Sequence, residues 1–147
     1  MADRKDQMEL IIPSDFKFLG AVDAAVQDLA REQACTPRWI NDFSTALIEA
    51  CSNAIEHGNK YAKDKVVRVI IHLNGKQIKA EIIDQGPGFN HKARMANPAP
   101  TDPLSERGRG ILIMQAFLDG LTYRSAEGGG TCVELTKTCE DPSSSKA

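Results

Sequence analysis

The sequence predicts an α+β fold, a two-layer α/β sandwich with helices on one face of a mixed, mainly antiparallel sheet. Two segments rich in β-branched residues, 66–73 and 77–84, are joined by the tight-turn dipeptide Asn74-Gly75. Residues 121–125 and 131–137 predict a second hairpin across three consecutive glycines. Helical periodicity upstream of both hairpins completes the pattern, because helices and antiparallel strands in this order pack as two layers.

The N-terminal segment predicts a short strand followed by a helix. The strand spans residues 8–12 and Pro13 ends it, while Ser14 is suited to be the N-cap of the helix. Apolar residues recur in that helix at helical spacing and form one stripe, which we expect to face the core. They are Phe18, Ala21, Val22, Ala25, Val26 and Leu29.

A second helix is predicted at about residues 38–57, after Cys35-Thr36-Pro37 interrupts the first. Gly58 is well placed to end it. The residues of this helix that we expect to point inward are Phe43, Leu47, Ala50, Cys51 and Ala54.

The C-terminal half contains a long segment without periodicity. Residues 89–108 include three prolines, and a loop of this length inside a compact domain is either functional or disordered. Because this segment lies between two glycine motifs, we expect it to form a mobile lid that covers a bound ligand. A helix is predicted again at 111–118, and residues from about 138 to 147 form a polar tail. We therefore expect residues 1–147 to form one domain.

Composition excludes several classes of function. The chain has 147 residues, 41% apolar and 26% charged, which is ordinary for a globular protein. A formal charge of -2 gives no global reason to expect nucleic acid or an anionic membrane as a partner. We find neither a signal peptide nor a membrane-spanning run. Four cysteines without metal-ligand spacing make the reduced cytoplasm the simplest location.

Three residues of the second helix are spaced to carry chemistry. Glu49, Asn53 and His57 follow one another at intervals of four, so they share one narrow stripe. An amide oxygen such as that of Asn53 can ligate magnesium, which keeps water and phosphate oxygens as its other ligands. Glu49 can accept a proton from a hydroxyl close to that ion. Taken alone, the same stripe also fits a solvated helix face; the motifs downstream favour the functional interpretation.

An acidic residue stands at the end of the second predicted strand, just before a glycine turn. The carboxylate of Asp84 can accept a hydrogen bond from an exocyclic amine such as that of adenine. Gly86 and Gly88 allow the backbone to approach a ligand closely. In isolation the motif more often marks an ordinary turn at a strand end.

A third motif places two glycines ahead of the helix at 111–118. The free N–H groups of such a helix start attract phosphate, and Arg107 or Arg109 would add positive charge. Alternatively, Gly108 and Gly110 only permit a tight entry into the helix. Thr131, which follows three glycines, is either a pocket residue or a plain strand threonine.

These three motifs, in this order and at this separation, resemble the N, G1 and G2 boxes of the Bergerat-fold ATPases, which include gyrase, Hsp90, histidine kinases and MutL. The motifs are Glu-x-x-x-Asn-Ala-x-x-His-Gly from Glu49, Asp-x-Gly-x-Gly-Phe from Asp84 and Gly-x-Gly-Ile from Gly108. The length and the N-terminal strand and helix look most like the bacterial anti-sigma-factor serine/threonine kinases. Those proteins phosphorylate a STAS-domain anti-anti-sigma antagonist and sequester a sigma factor.

The resemblance implies a role for each matching residue. Asn53 would bind Mg²⁺ and Glu49 would be the general base. Asp84 would recognise the adenine of ATP, in a pocket shaped by Gly86 and Gly88.

The resemblance also places Gly108 and Gly110 in the phosphate-binding lid and helix start, with Arg107 and Arg109 beside the phosphates. Thr131 would lie near the adenine.

The implied function is ATP- and Mg²⁺-dependent phosphorylation of a STAS-domain partner by a cytoplasmic anti-sigma factor, and a homodimer is suggested. Two other functions stay open. One is a non-catalytic module whose grip on a partner is gated by ATP, and the other is a detached catalytic domain of a sensor histidine kinase.

Overall fold

The computed structural model describes residues 6–87 and 106–139, with the side chains of residues 106–109 excepted. Its strands form one five-stranded sheet in the order β1-β2-β3-β5-β4, and all neighbouring pairs are antiparallel. The elements are β1 (Asp6–Pro13), α1 (Leu19–Glu32), α2 (Pro37–Asn53), β2 (Val66–Asn74), β3 (Gln77–Ile83), α3 (Glu106–Phe117), β4 (Gly120–Ser125) and β5 (Thr131–Thr138). The α+β class predicted from the sequence is confirmed.

Both predicted hairpins are present with the expected turns. Asn74 pairs with Gln77 across the β2–β3 turn, where Gly75 adopts φ 62°. Such a left-handed conformation costs glycine little, which explains the Asn-Gly signal. Ser125 pairs with Thr131 across the β4–β5 turn. Alternate residues of β2 and β3 are fully buried, so one face of the sheet carries the core.

The helices form the second layer over that face. Helix α2 contacts α1 on one side and α3 on the other, and it packs on β3 and β5. Thr36 caps its N-terminus by accepting a hydrogen bond from the Trp39 N–H at 3.1 Å. All five residues predicted to face inward from α2 are buried. In α1, Val22 and Val26 are buried as expected, whereas Ala21 is exposed. Within the two described ranges, no helix is both long and apolar enough to cross a membrane.

The prediction that Ser14 is the N-cap of the first helix is wrong. A short 3-10 turn at Phe16–Phe18 precedes α1, and Asp15 caps that turn by accepting from the Lys17 N–H at 2.9 Å. The Ser14 hydroxyl is buried and donates instead to the carbonyl of Lys65 at 2.7 Å. The prediction failed because Ser14 is engaged in a tertiary hydrogen bond, with a partner that lies 51 residues away in the sequence.

Helix α3 begins at Glu106, five residues earlier than the sequence predicted. Gly108 and Gly110 therefore lie inside the helix and not ahead of it. Glycine is unfavourable in a helix by about 1 kcal/mol relative to alanine, but a β-carbon at position 110 would overlap the Glu49 side chain and displace it. The predicted lid at 89–108 is wrong at its C-terminal end; residues 88–105 lie outside the described residues.

The chain end also differs from the prediction. Thr138 belongs to β5, and Cys139 is buried and disulfide-bonded to Cys35 with a Cα–Cα distance of 5.2 Å. The indole N–H of Trp39 donates to the carbonyl of Thr138 at 2.9 Å. The polar tail predicted from residue 138 thus starts too early, and residues 140–147 lie outside the described residues. The pairing of two cysteines also removes the cysteine argument for a reducing compartment.

Candidate functional site

The end of helix α2 lies between two cavities. Asn53, 9% exposed, lines both of them. The first encloses about 10 Å³ and is lined by Ala50, Asn53, Ala54, Ile82, Asp84, Tyr123, Thr131 and Val133. The second encloses about 370 Å³ and is lined by Phe16, Glu49, Ser52, Asn53, Glu56, His57, Gly110 and Ile113. The amide of Asn53 is thereby placed at the boundary between them.

The predicted stripe of Glu49, Asn53 and His57 is confirmed, since all three line the larger cavity. The helix does not continue regularly to His57, because residues Ala54–Gly58 form a π-helical turn. This wider turn is closed by the Asn59 N–H, which donates to the carbonyl of Ala54 at 2.8 Å. Such turns often occur at functional sites.

Asp84 is a fixed carboxylate at the smaller cavity. It directly follows β3 and is only 5% exposed. Its Oδ1 accepts hydrogen bonds from the N–H of Gly86 at 2.9 Å and from the N–H of Thr131 at 3.1 Å. These two bonds hold the loop after β3 against the start of β5. Asp84 and Thr131 line the same cavity, and their roles in binding adenine stay predictions.

Three glycines let the backbone close around Asp84. A β-carbon on Gly58 would overlap the Asp84 side chain, and one on Gly130 would overlap the Asp84 carbonyl. A β-carbon on Gly86 would overlap the carbonyl of Gly58. The sequence had suggested Gly58 only as a helix terminator and Gly130 only as part of a turn. Their role in packing was not predicted, because it depends on contacts between distant segments.

Asn59 is a buried residue that supports the site from behind the loop of Asp84, and it was not predicted from the sequence. Its Nδ2 donates to the Ser14 hydroxyl and to the carbonyl of Val66, both at 2.9 Å. Its Oδ1 accepts from the N–H of Gln85 at 2.7 Å. Asn59 thus ties the loop that carries Asp84 to β2 and to the end of β1. Its partners are up to 45 residues away, so the local pattern gives no signal for this role.

The smaller cavity has room for about one water molecule. A purine ring would enter only if the lining side chains moved, and Tyr123, which is half-buried on β4, is one of those side chains. The Asp84 carboxylate at this cavity suits an amine donor. The Asn53 amide oxygen suits a hard cation such as Mg²⁺. Among the residues described, no cluster of three His, Cys, Asp or Glu residues is arranged to hold a metal ion.

Four predicted site residues are described only in part or not at all. Gly88 lies outside the described residues, as do the side chains of Arg107 and Arg109. The backbone of Gly108 lies within α3. Gly110, which was predicted for the phosphate site, lies against Glu49 in the larger cavity. Phosphate binding by this segment stays a prediction.

The two-layer fold and the buried amide between two cavities are compatible with a nucleotide-binding domain. Residues 12–137 match the family described as histidine kinase-like ATPase domain, and the chain belongs to this family.

Relatives cover nearly the whole chain. An anti-sigma F factor of Clostridium beijerinckii is 32% identical over 93% of this chain and 96% of its own length. An anti-sigma F factor of a Thermoanaerobacter species is 36% identical over 90% and 93% of the two chains. The serine-protein kinase RsbW of Bacillus subtilis is 25% identical over 93% and 88%.

Solved structures share the fold. A crystal structure of RsbU and RsbW domains from Mycobacterium tuberculosis superimposes with a TM-score of 0.67 and 21% identity, over 93% of this chain and 33% of that chain. The SiaB-SiaC complex of Pseudomonas aeruginosa gives a TM-score of 0.66 and 13% identity, over 88% of both chains. At these identities the likeness establishes the architecture alone.

Proposed function

We propose that this chain is an ATP-dependent serine/threonine protein kinase that also acts as an anti-sigma factor. The observation that carries the proposal is the position of Asn53 between the cavity of Asp84 and the cavity of Glu49. A nucleotide bound with its base at Asp84 would have its phosphates directed past Asn53 toward Glu49. The names of the relatives, anti-sigma F factor and serine-protein kinase, support the same function.

On the base side of this site, Asp84 accepts a hydrogen bond from the adenine amine. Its anchoring by the N–H groups of Gly86 and Thr131 supports this role, since the carboxylate is held in place before the nucleotide arrives. Gly86 and Gly88 shape the pocket, and Thr131 lies beside the base.

On the phosphate side, Asn53 supplies one oxygen ligand to Mg²⁺, whose remaining ligands are water and phosphate oxygens. When bound, the ion neutralises charge on the phosphates and so favours transfer. Gly108, Gly110, Arg107 and Arg109 belong to the part of the proposed site that faces the triphosphate.

The proposed reaction moves the γ-phosphoryl group of ATP to a serine or threonine hydroxyl. The hydroxyl oxygen forms a new bond to the γ-phosphorus while the bond from that phosphorus to the bridging oxygen breaks, so that ADP leaves. Glu49 accepts the hydroxyl proton. Most of the acceleration comes from positioning and charge neutralisation, as in other phosphoryl transfers.

The proposed partners are a STAS-domain anti-anti-sigma protein, which is the phosphoacceptor, and a sigma factor, which is sequestered when the antagonist is absent. We further propose that residues 1–147 form a single domain with a lid before α3. The protein is proposed to be a homodimer and to act in the cytoplasm.

Phosphotransfer to a purified STAS-domain protein of the same organism tests this function. The chain, Mg²⁺ and γ-labelled ATP are expected to give acid-stable phosphate on the partner, and Glu49→Gln should abolish the label. Glu56→Gln is the matched control, because Glu56 lines the same cavity one residue before His57. Tight partner binding without transfer would instead support the ATP-gated module. Acid-labile phosphate on histidine would support the sensor-kinase domain.

A further inference from the structure

An exposed apolar surface borders the cavity that contains Glu49. Phe16, Tyr61 and Ile113, here named the apolar rim, are 44%, 49% and 40% exposed. Phe16 and Ile113 line the Glu49 cavity. Phe16 also lines a neighbouring cavity of about 490 Å³, together with Tyr61. Adjoining exposed apolar residues of this kind mark interaction sites more often than isolated ones do.

The position of Tyr61 is maintained against an unfavourable backbone conformation. Lys60 and Tyr61 have φ values of 52° and 59°, in the left-handed region that side chains other than glycine rarely adopt. The Tyr61 N–H donates to the carbonyl of Ile55 at 2.9 Å, and its ring packs edge-on against Phe16 with centroids 5.5 Å apart. Such conformations cluster at binding sites and catalytic sites.

The two sides of Asn53 differ in what they can admit. The cavity on the Asp84 side encloses only about 10 Å³, whereas the cavity that contains Glu49 encloses about 370 Å³ and is lined by Phe16 and Ile113 of the apolar rim. Its floor is polar and includes Ser52 and His57 as well as Glu49. A hydroxyl that enters this cavity to give its proton to Glu49 therefore lies close to the rim.

We propose that the apolar rim binds the phosphoacceptor protein, which places its serine or threonine in the Glu49 cavity and an apolar side chain against Phe16 and Tyr61. This inference rests on the proposed kinase function. Among the described residues that line the neighbouring cavity, Lys17 and Lys63 are basic and Asp15 is acidic; Lys17 pairs with Asp15 at 4.0 Å, so Lys63 supplies the excess charge. The excess positive charge suits an acidic residue of the acceptor beside its apolar side chain.

Binding and kinetics of rim variants test the proposal. The variants are the double substitution Phe16→Ala with Tyr61→Ala, and the single substitution Ile113→Ala. Leu112→Ala is the matched control for Ile113, since Leu112 is 43% exposed on the same helix and lines neither cavity. Ile11→Ala is a second control, because Ile11 is 61% exposed on β1.

The probe is the purified STAS-domain protein, titrated calorimetrically in the presence of Mg²⁺ and a non-hydrolysable ATP analogue. We expect each rim variant to bind it at least about tenfold more weakly, as for a truncated interface anchor. The affinity for the ATP analogue should stay within about twofold of the wild-type value. In the transfer assay the KM for the acceptor should rise while kcat is retained, and both controls should behave like the wild type.

Three results would overturn this assignment. Rim variants that bind the acceptor as the controls do would exclude the rim as its docking site. Loss of self-association in light scattering, with acceptor binding intact, would identify a second copy of the chain as the occupant. Equal weakening in the Leu112→Ala control would show that the loss of binding is not specific to the rim. If the wild type transfers no phosphate, the kinase function fails by itself, and the dissociation constants still decide whether the acceptor covers the rim.

Discussion

Gly110 of helix α3 lies directly against the carboxylate of Glu49 on helix α2. A β-carbon at position 110 would overlap Oε2 of Glu49, so the Glu49 side chain can hold this position only because residue 110 is glycine. The contact positions Glu49 from outside its own helix. It also explains why a glycine is kept inside a helix, where it is unfavourable.

Gly110→Ala should lower phosphotransfer activity without lowering the stability of the fold. Alanine favours the helix by up to about 1 kcal/mol, but its methyl group displaces the flexible Glu49 side chain. We expect unfolding by urea to show little or no loss of stability, while phosphotransfer falls at least about tenfold, because catalytic groups tolerate only small displacements. Gly20→Ala is the control, since nothing lies within 4 Å of a β-carbon on this glycine of α1. Equal transfer by Gly110→Ala and the wild type would contradict the role of the contact.

Asn53→Ala should abolish Mg²⁺-dependent ATP binding while leaving the fold largely intact. The variant loses the amide oxygen between the two cavities, and no other side chain is proposed to replace it as a Mg²⁺ ligand. Calorimetric titration with ATP, with and without Mg²⁺, measures the difference. Asn41→Ala, an exposed position on the same helix, should bind as the wild type does. Normal Mg²⁺-ATP affinity in Asn53→Ala would remove Asn53 from its role.

Asp84→Asn should weaken the selection for adenine over guanine nucleotides. An asparagine keeps one side-chain oxygen, so it can still accept the N–H groups of Gly86 and Thr131 that anchor the loop. The variant loses the carboxylate that would accept a hydrogen bond from the adenine amine. The ratio of ATP affinity to GTP affinity should therefore fall about tenfold, as expected for the loss of a charged hydrogen bond. Competition binding measures the ratio, with Asp64→Asn on the exposed loop as control. An unchanged ratio would count against the assignment.

Much of this architecture is encoded locally and was therefore predictable. The β2–β3 hairpin follows from Asn74-Gly75 between two branched segments, and the buried face of α2 follows from helical periodicity. The stripe of Glu49, Asn53 and His57 was also predictable, because spacing alone brings these residues to one face.

The features that were not predicted depend on contacts between distant segments. Ser14 bonds to Lys65, and Cys35 bonds to Cys139 across 104 residues. Four cysteines allow three different pairings, so sequence alone cannot select one. Helix α3 was predicted too short because its glycines suggest a turn when read locally. The contact with Glu49 that requires Gly110 is visible only in the folded chain.

Glu81 should make the stability depend on acid pH. Its carboxylate lies 2.6 Å from Nε2 of His72 and accepts from the guanidinium of Arg124 at 2.5 Å. Burial alone would raise the pKa of Glu81, but the hydrogen bonds and charges of His72 and Arg124 outweigh it and hold the pKa below its ordinary value of 4.5.

Because the pKa of Glu81 is lower in the folded state, its contribution is fully present above the unfolded pKa and is lost as the pH falls through the folded pKa. Glu81→Gln should thus reduce the free energy of unfolding by about 1–3 kcal/mol at pH 7. The difference from the wild type should shrink below about pH 4. Urea unfolding at pH 7, 5 and 3.5 measures it, with Glu127→Gln in the exposed β4–β5 turn as control. A difference that stays constant with pH would show that the effect is not due to the charge.

The four cysteines should react in two different ways: Cys35 and Cys139 as a disulfide, and Cys51 and Cys132 as buried thiols. Burial and the nearby charge of Asp23 raise the pKa of the Cys51 thiol to about 12, and burial is the main cause that raises the pKa of the Cys132 thiol to about 11. At pH 8 only about one Cys51 in 10,000 is a thiolate, the form that reacts with iodoacetamide. Native protein prepared without reductant should therefore take up no label, as read by mass spectrometry.

Unfolding the same sample in guanidinium without reductant should label Cys51 and Cys132 only, because Cys35 and Cys139 are bonded to each other. Adding reductant should raise the count to four labels per chain. The Cys51→Ala variant supplies the control for assigning labels to sites. Four labels before reduction would show that Cys35 and Cys139 are not paired in solution, and rapid labelling of the native chain at Cys51 would show that α2 opens from the sheet.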